Sequence, residues 1–189
     1  MMRRVGLLLV VAVAGCGGPP SSPVSPSAAN LDSTGILLVA PGEQVQGRPP
    51  NEAVAQAHSD AIVMAEANGL DLGYPWIDPV TGQLVLSAAT PRGRQLIEAA
   101  VFAVPYRIRD VEHGFKTLEA IKDDATFLGA QGVEGAELIF MSGQDHRDNR
   151  ALIGLIEMSR PLLDYLAAHY PADAIAIQVD PTFGGGGTT

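Results

Sequence analysis

The chain has one cysteine, Cys16, so no disulfide can form within it. Aromatic residues make up only 5% of its 189 positions, and Trp76 is the one tryptophan. No apolar run approaches the roughly 20 residues that a membrane-spanning helix needs. Basic residues are also scarce, 12 against 21 acidic ones, for a net charge of −9. Such a surface repels phosphate backbones, which removes nucleic acid from the expected partners, and it offers no attraction to anionic lipid. Catalytic constellations are missing too. There is no Cys/His pair, no His-Glu-x-x-His and no glycine-rich loop following a strand; Gly184–Gly187 precede no further element. His58, Ser59 and Asp60 resemble triad chemistry by type, but consecutive helix positions point about 100° apart and share no proton relay, so they read as a solvated face. Asp123-Asp124 reads as exposed helix charge. The polar cluster Gln144–Asn149 reads as turn chemistry, because a calcium loop needs more oxygen donors and a closing glutamate. No catalytic residue, metal ligand or cofactor is expected.

What is present begins with a leader. Residues 1–15 open with basic Arg3-Arg4, continue in an apolar stretch and reach small residues before Cys16. The run Val13-Ala14-Gly15-Cys16 resembles the bacterial lipobox; the alternative is an ordinary signal peptide with a chance cysteine. The resemblance implies cleavage between Gly15 and Cys16 and lipid attachment at Cys16, where two or three acyl chains anchor stably and one alone does not. The expected location is the cell membrane or outer membrane, lipid-anchored on the extracytoplasmic side. Residues 16–35, rich in Gly, Pro and Ser, read as a flexible tether.

Residues 36–180 read as one α+β domain, consistent with 47% apolar and 17% charged residues, and 181–189 as a flexible tail. A β-hairpin, a helix and a strand occupy about 72–111, and the same elements recur in about 138–179, joined by a helix over 113–129 and preceded by a helix after Asn51. An ungapped overlay places Asp78 on Asp145, Gly82 on Asn149, Val85 on Leu152, Leu96 on Leu163 and Ile108 on Ile175, each pair 67 positions apart. Pro75 argues for an edge strand or a bulge. Gly69 stands where a left-handed helix C-cap is wanted. Glu137–Met141 reads as a buried strand opening the second copy. Trp76 reads as a core anchor, with a ligand platform as the alternative.

Trp76-Ile77-Asp78 with Thr81-Gly82, then Val104–Arg109, Leu118-Glu119-Ala120-Ile121, Asn149–Ile153 and Ala168-His169-Tyr170 together resemble the pro-region of bacterial α-lytic-type and streptogrisin-type serine peptidases. The resemblance spans roughly Asp71–Val179 and implies a pro-domain fold standing without its peptidase. In that family the end of the pro-region lies product-like in the enzyme's cleft, which would make Phe183 the tail's anchor. The expected function is therefore a non-catalytic lipoprotein binding another protein of the cell envelope. The alternatives are an inhibitor or folding helper of a secreted serine peptidase acting in trans, and an envelope enzyme of unrecognised type.

Overall fold

The computed structural model describes residues 31–40 and 50–184. They form an α+β fold with two sheets, each with its own hydrophobic core. The leader, Gly15, Cys16 and most of the expected tether lie outside the described residues. The domain begins earlier than residue 36, however. Asp32 Oδ1 accepts from the backbone N–H groups of Thr34 and Ile36 at 2.8 and 3.1 Å, and Leu31 bridges to Leu37. These bonds close a turn that leads into β1 (Leu37–Val39).

Helix α1 (Glu52–Ala67) starts where Asn51 Oδ1 accepts from Val54 N at 2.9 Å, and buries Val54, Ala57, Ala61 and Ala65 at helical spacing. It packs on the hairpin of β2 (Leu72–Ile77) and β3 (Leu84–Ala88). Helix α2 (Pro91–Ala99), capped by Thr90, then returns the chain to β4 (Tyr106–Asp110), which pairs parallel with β3. Leu84, Leu86, Ala88 and Ile97 close this core beneath α1. β2 is an edge strand whose register shifts between Gly73 and Trp76, so Pro75 occupies both environments that spare a missing N–H.

The second unit repeats the plan. Helix α3 (Phe115–Phe127) packs on the hairpin of β5 (Ile139–Asp145) and β6 (Arg150–Leu155). Helix α4 (Arg160–His169) leads to β7 (Ile175–Val179), parallel to β6, and β1 adds to the far side of β7. Each hairpin is thus preceded by a helix that covers it, so the recurring unit is helix–hairpin–helix–strand, one element longer than the sequence overlay indicated.

The ungapped overlay holds only through the hairpins. Asp78 Oδ1 accepts from Val80 N and Thr81 N, and Asp145 Oδ1 accepts from Arg147 N and Asp148 N, at 2.9–3.2 Å. Both turns end on a left-handed residue, Gly82 at φ 68° and Asn149 at φ 54°. Beyond β6 the connection to the helix is two residues longer, with Ser159 capping α4 where Thr90 caps α2. Loop length is thermodynamically cheap, and the offset shifts with it. Fully buried Leu166 therefore answers fully buried Ile97, and Ile177 answers Ile108, each pairing with the matching hairpin position. The pairs Leu96/Leu163 and Ile108/Ile175 are superseded.

Three further differences have local causes. Gly69 has no left-handed φ, because Asn68 is the C-cap; instead its carbonyl accepts from Lys116 N at 2.9 Å, and a Cβ there would lie 2.7 Å from Lys116 Cγ. The second copy opens with a 3₁₀ turn (Ala136–Leu138), so its strand begins only at Ile139. Val85 is fully buried but Leu152 only half-buried, although both point away from their own cores. The first sheet's outer face is covered by the second hairpin's turn.

Candidate functional site

That covering contact is the molecule's main polar seam. Because Leu84, Leu86 and Ala88 face α1, strand alternation turns Val85 and Ser87 outward, with Arg107 and Arg109 beside them on β4. Onto this face the second turn brings His146, whose ring stacks on Tyr74 at 4.2 Å and 18°. The Tyr74 ring also meets Phe115, with centroids 5.3 Å apart and the rings tilted by 43°. Arg109 donates to the Arg147 carbonyl. Asn149 completes the join: its Oδ1 accepts from His113 N and its Nδ2 donates to His113 O, both at 2.9 Å. His113 Nε2 is 3.5 Å from Asp173, beside the start of β7.

Burial shapes the charges here. It lowers the pKa of His146 and that of Arg109, and raises that of Asp148, where neighbouring Asp145 adds to the effect. Arg150, buried at the start of β6, has its pKa lowered by desolvation and donates to the carbonyls of Ile175 at 3.0 Å and Ala172 at 3.4 Å. Within its strand the guanidinium serves β7 rather than a ligand. Arg150→Met keeps much of the stem's volume but strands those carbonyls, and should cost about 1–3 kcal/mol, read as a lowered urea midpoint at unchanged slope.

The residues that resemble catalytic or metal-binding types each engage a separate partner. His58 is half-buried rather than solvated, because its Nε2 lies 3.1 Å from the Pro75 carbonyl on edge strand β2. Ser59 Oγ donates back to Ala55 O, and Asp60 accepts from Gln56. Asp123 pairs with Lys122 at 3.1 Å, and Asp124 accepts from Tyr170 Oη at 3.2 Å. Among the described residues no group of three or more His, Cys, Asp or Glu side chains is placed to hold a metal, and no helix is long and apolar enough to cross a membrane. Trp76 belongs to neither core cluster; it is half-buried on the outer face, opposite Val85, with its Nε1 buried and unpaired.

A second surface feature was not legible in the sequence. Phe140 and Met141, at the start of edge strand β5, both lie over Gly154 of β6, where a Cβ would come within 2.7 Å of Phe140 and 2.4 Å of Met141. Phe183 stacks on Phe140 at 4.3 Å and 9°. It does so from a 3₁₀ turn (Pro181–Gly184) closed by Asp180, so the start of the expected free tail is folded back on the sheet. Phe183 is 62% exposed and Met141 36%, leaving an apolar shelf beside β5, whose outer edge pairs with no strand among the described residues. The signal lay in Gly154, whose missing side chain admits the two residues above it. No family model matches the chain, and no curated protein matches it.

Proposed function

We propose that the protein is a non-catalytic lipoprotein of the cell envelope, anchored to the membrane through Cys16, whose folded domain binds another protein. The anchor rests on Val13-Ala14-Gly15-Cys16 and the basic, then apolar, leader before it. The observation that carries the binding role is the shelf of Phe140, Met141 and Phe183. Aromatic and methionine side chains half out of water beside an outer strand edge suit a protein partner that supplies apolar side chains and backbone hydrogen bonds.

A secreted serine peptidase, inhibited or assisted in trans, is the second reading, and the outer edge of β5 favours it. Phe183 would then act as part of the shelf, because its ring rests on Phe140 instead of standing free for insertion into a cleft.

Two measurements test this. Cys16→Ser should move the protein from the membrane fraction to the soluble one; unchanged fractionation removes the anchor. A photo-crosslinking residue at Met141 should trap a discrete adduct in intact envelopes, and the same residue at Val101, 97% exposed, should not. Adding Phe183→Ser should abolish the adduct. An adduct indifferent to Phe183, or equal labelling from both positions, removes the shelf from the binding role.

A further inference from the structure

The seam between the two units is held by a turn that carries a histidine in an unusual setting. His146 lies face-on against Tyr74, and its Nδ1 is buried with no hydrogen-bond partner. A neutral imidazole tolerates this, because an unpaired acceptor costs little beside an unpaired charge. A protonated imidazole does not, since Nδ1–H would be a buried cationic donor with no acceptor. Three residues on, the same turn supplies Asn149, whose side chain makes both bonds to the His113 backbone. The group that dislikes protonation therefore sits on the segment that joins the units.

We propose that protonation of His146 loosens this turn from the first sheet, making the seam an acid-sensitive latch that uncovers Tyr74 and releases His113. The groups around it decide whether the charge could be accommodated. Tyr74 of β2 contributes only its ring face, and His58 of α1 adds a like charge when it is itself protonated. Arg109 of β4, bonded to the Arg147 carbonyl, and Arg147 itself are positive. Against them stand Asp145 and Asp148 of the turn. Asp145 Oδ1 is already engaged by two backbone N–H groups, and Asp148 feels the positive charges of Arg109, Arg147 and Arg150. Asp145 favours the charged ring, but neither carboxylate makes a hydrogen bond to Nδ1, which is unpaired in the folded structure.

The sign follows from burial. The folded-state pKa of His146 lies below the ordinary 6.5, so its contribution to the seam is full above that value and is lost as the pH falls through it. Asp148 has the opposite sign, since its raised pKa makes the folded state gain on protonation, starting from lower pH. Of these two groups histidine is the type that changes charge between about pH 5 and 8, and variants at position 146 separate the two.

The test is hydrogen exchange of the His113 amide, which donates to Asn149, followed from about pH 7.5 to about pH 5.5 and expressed as a protection factor to remove the intrinsic pH dependence of exchange. The protection factor should fall severalfold in the wild-type domain, while the amides joining β6 to β7 keep theirs. His146→Phe, which keeps the stacking and cannot be protonated, should hold the value constant, and so should His146→Gln if the aromatic form packs poorly. Constant protection in the wild type overturns the latch. So does an equal fall in both variants, or a fall shared by the β6–β7 amides.

Discussion

Gly93→Ala should destabilise the folded domain by about 3 kcal/mol or more, at the upper end of what overpacking costs. Propensity alone argues the other way, since alanine is favoured over glycine in a helix by about 1 kcal/mol. Geometry decides the matter. A Cβ on Gly93 would lie 1.9 Å from the Asp71 carbonyl oxygen, and backbone cannot rotate away as a side chain can. Asp71 is also pinned from several sides. Its carbonyl accepts from Ala89 N at 2.8 Å, its Oδ1 accepts from Thr90 Oγ1 at 2.7 Å, and Arg92 is 3.6 Å from its carboxylate. Moving Asp71 aside therefore disturbs the hairpin end and the cap of α2 together. Gly129→Ala is the control, because nothing lies within 4 Å of its would-be Cβ. Urea unfolding followed by circular dichroism should show a much lower midpoint for Gly93→Ala and little change for Gly129→Ala. Equal midpoints would mean that the α2–Asp71 contact is not as close as described.

Gly93 also shows how far sequence reasoning reaches. The elements were legible because hydrophobic periodicity and caps are local: Thr90 before Pro91, Ser159 before a leucine-rich stripe, and Asn51 before an alanine stripe all mark helices where they occur. Correspondence between units was less legible. An overlay without gaps sets Gly93 against Arg160, whereas the caps set it against buried Leu162, and only the two extra residues after β6 reconcile them. The sequence marks no insertion, because a strand-to-helix connection of either length satisfies the same pattern. The helix preceding each hairpin was missed as part of the unit because α1 buries mainly alanine and α3 buries Phe115, Leu118 and Ile121. Side chains that different give no recurring signature, although the two helices cover equivalent strands. Leu96, Ile97, Ala100 and Val101 recur at helical spacing and suggest a longer buried stripe, but α2 ends at Ala99 and leaves Val101 97% exposed. The shelf and the seam depend on contacts distant in sequence, Phe140 with Phe183 and Asn149 with His113, which no local pattern encodes.

The second large effect is expected at Asn149, where conformation and hydrogen bonding combine. The overlay with Gly82 reads the position as a demand for a left-handed residue, and φ 54° meets that reading. Asparagine adds what glycine lacks, a side chain that satisfies both backbone groups of His113 across the seam. Asn149→Gly keeps the conformation and removes the two bonds, and each group left unpaired costs about 1–3 kcal/mol where water cannot replace the partner. Asn149→Ala removes the same bonds and adds left-handed strain of about 1–2 kcal/mol. Stability should therefore fall in the order wild type, glycine, alanine, with the first step the larger. The first step belongs to the seam, so it should appear also as faster exchange of the His113 amide; the second belongs to the turn and should leave that amide as glycine leaves it. Urea midpoints with exchange at His113 separate the two contributions. If glycine matches wild type, Asn149 is only a turn residue and the seam is held elsewhere. If alanine matches glycine, the left-handed conformation is not under strain.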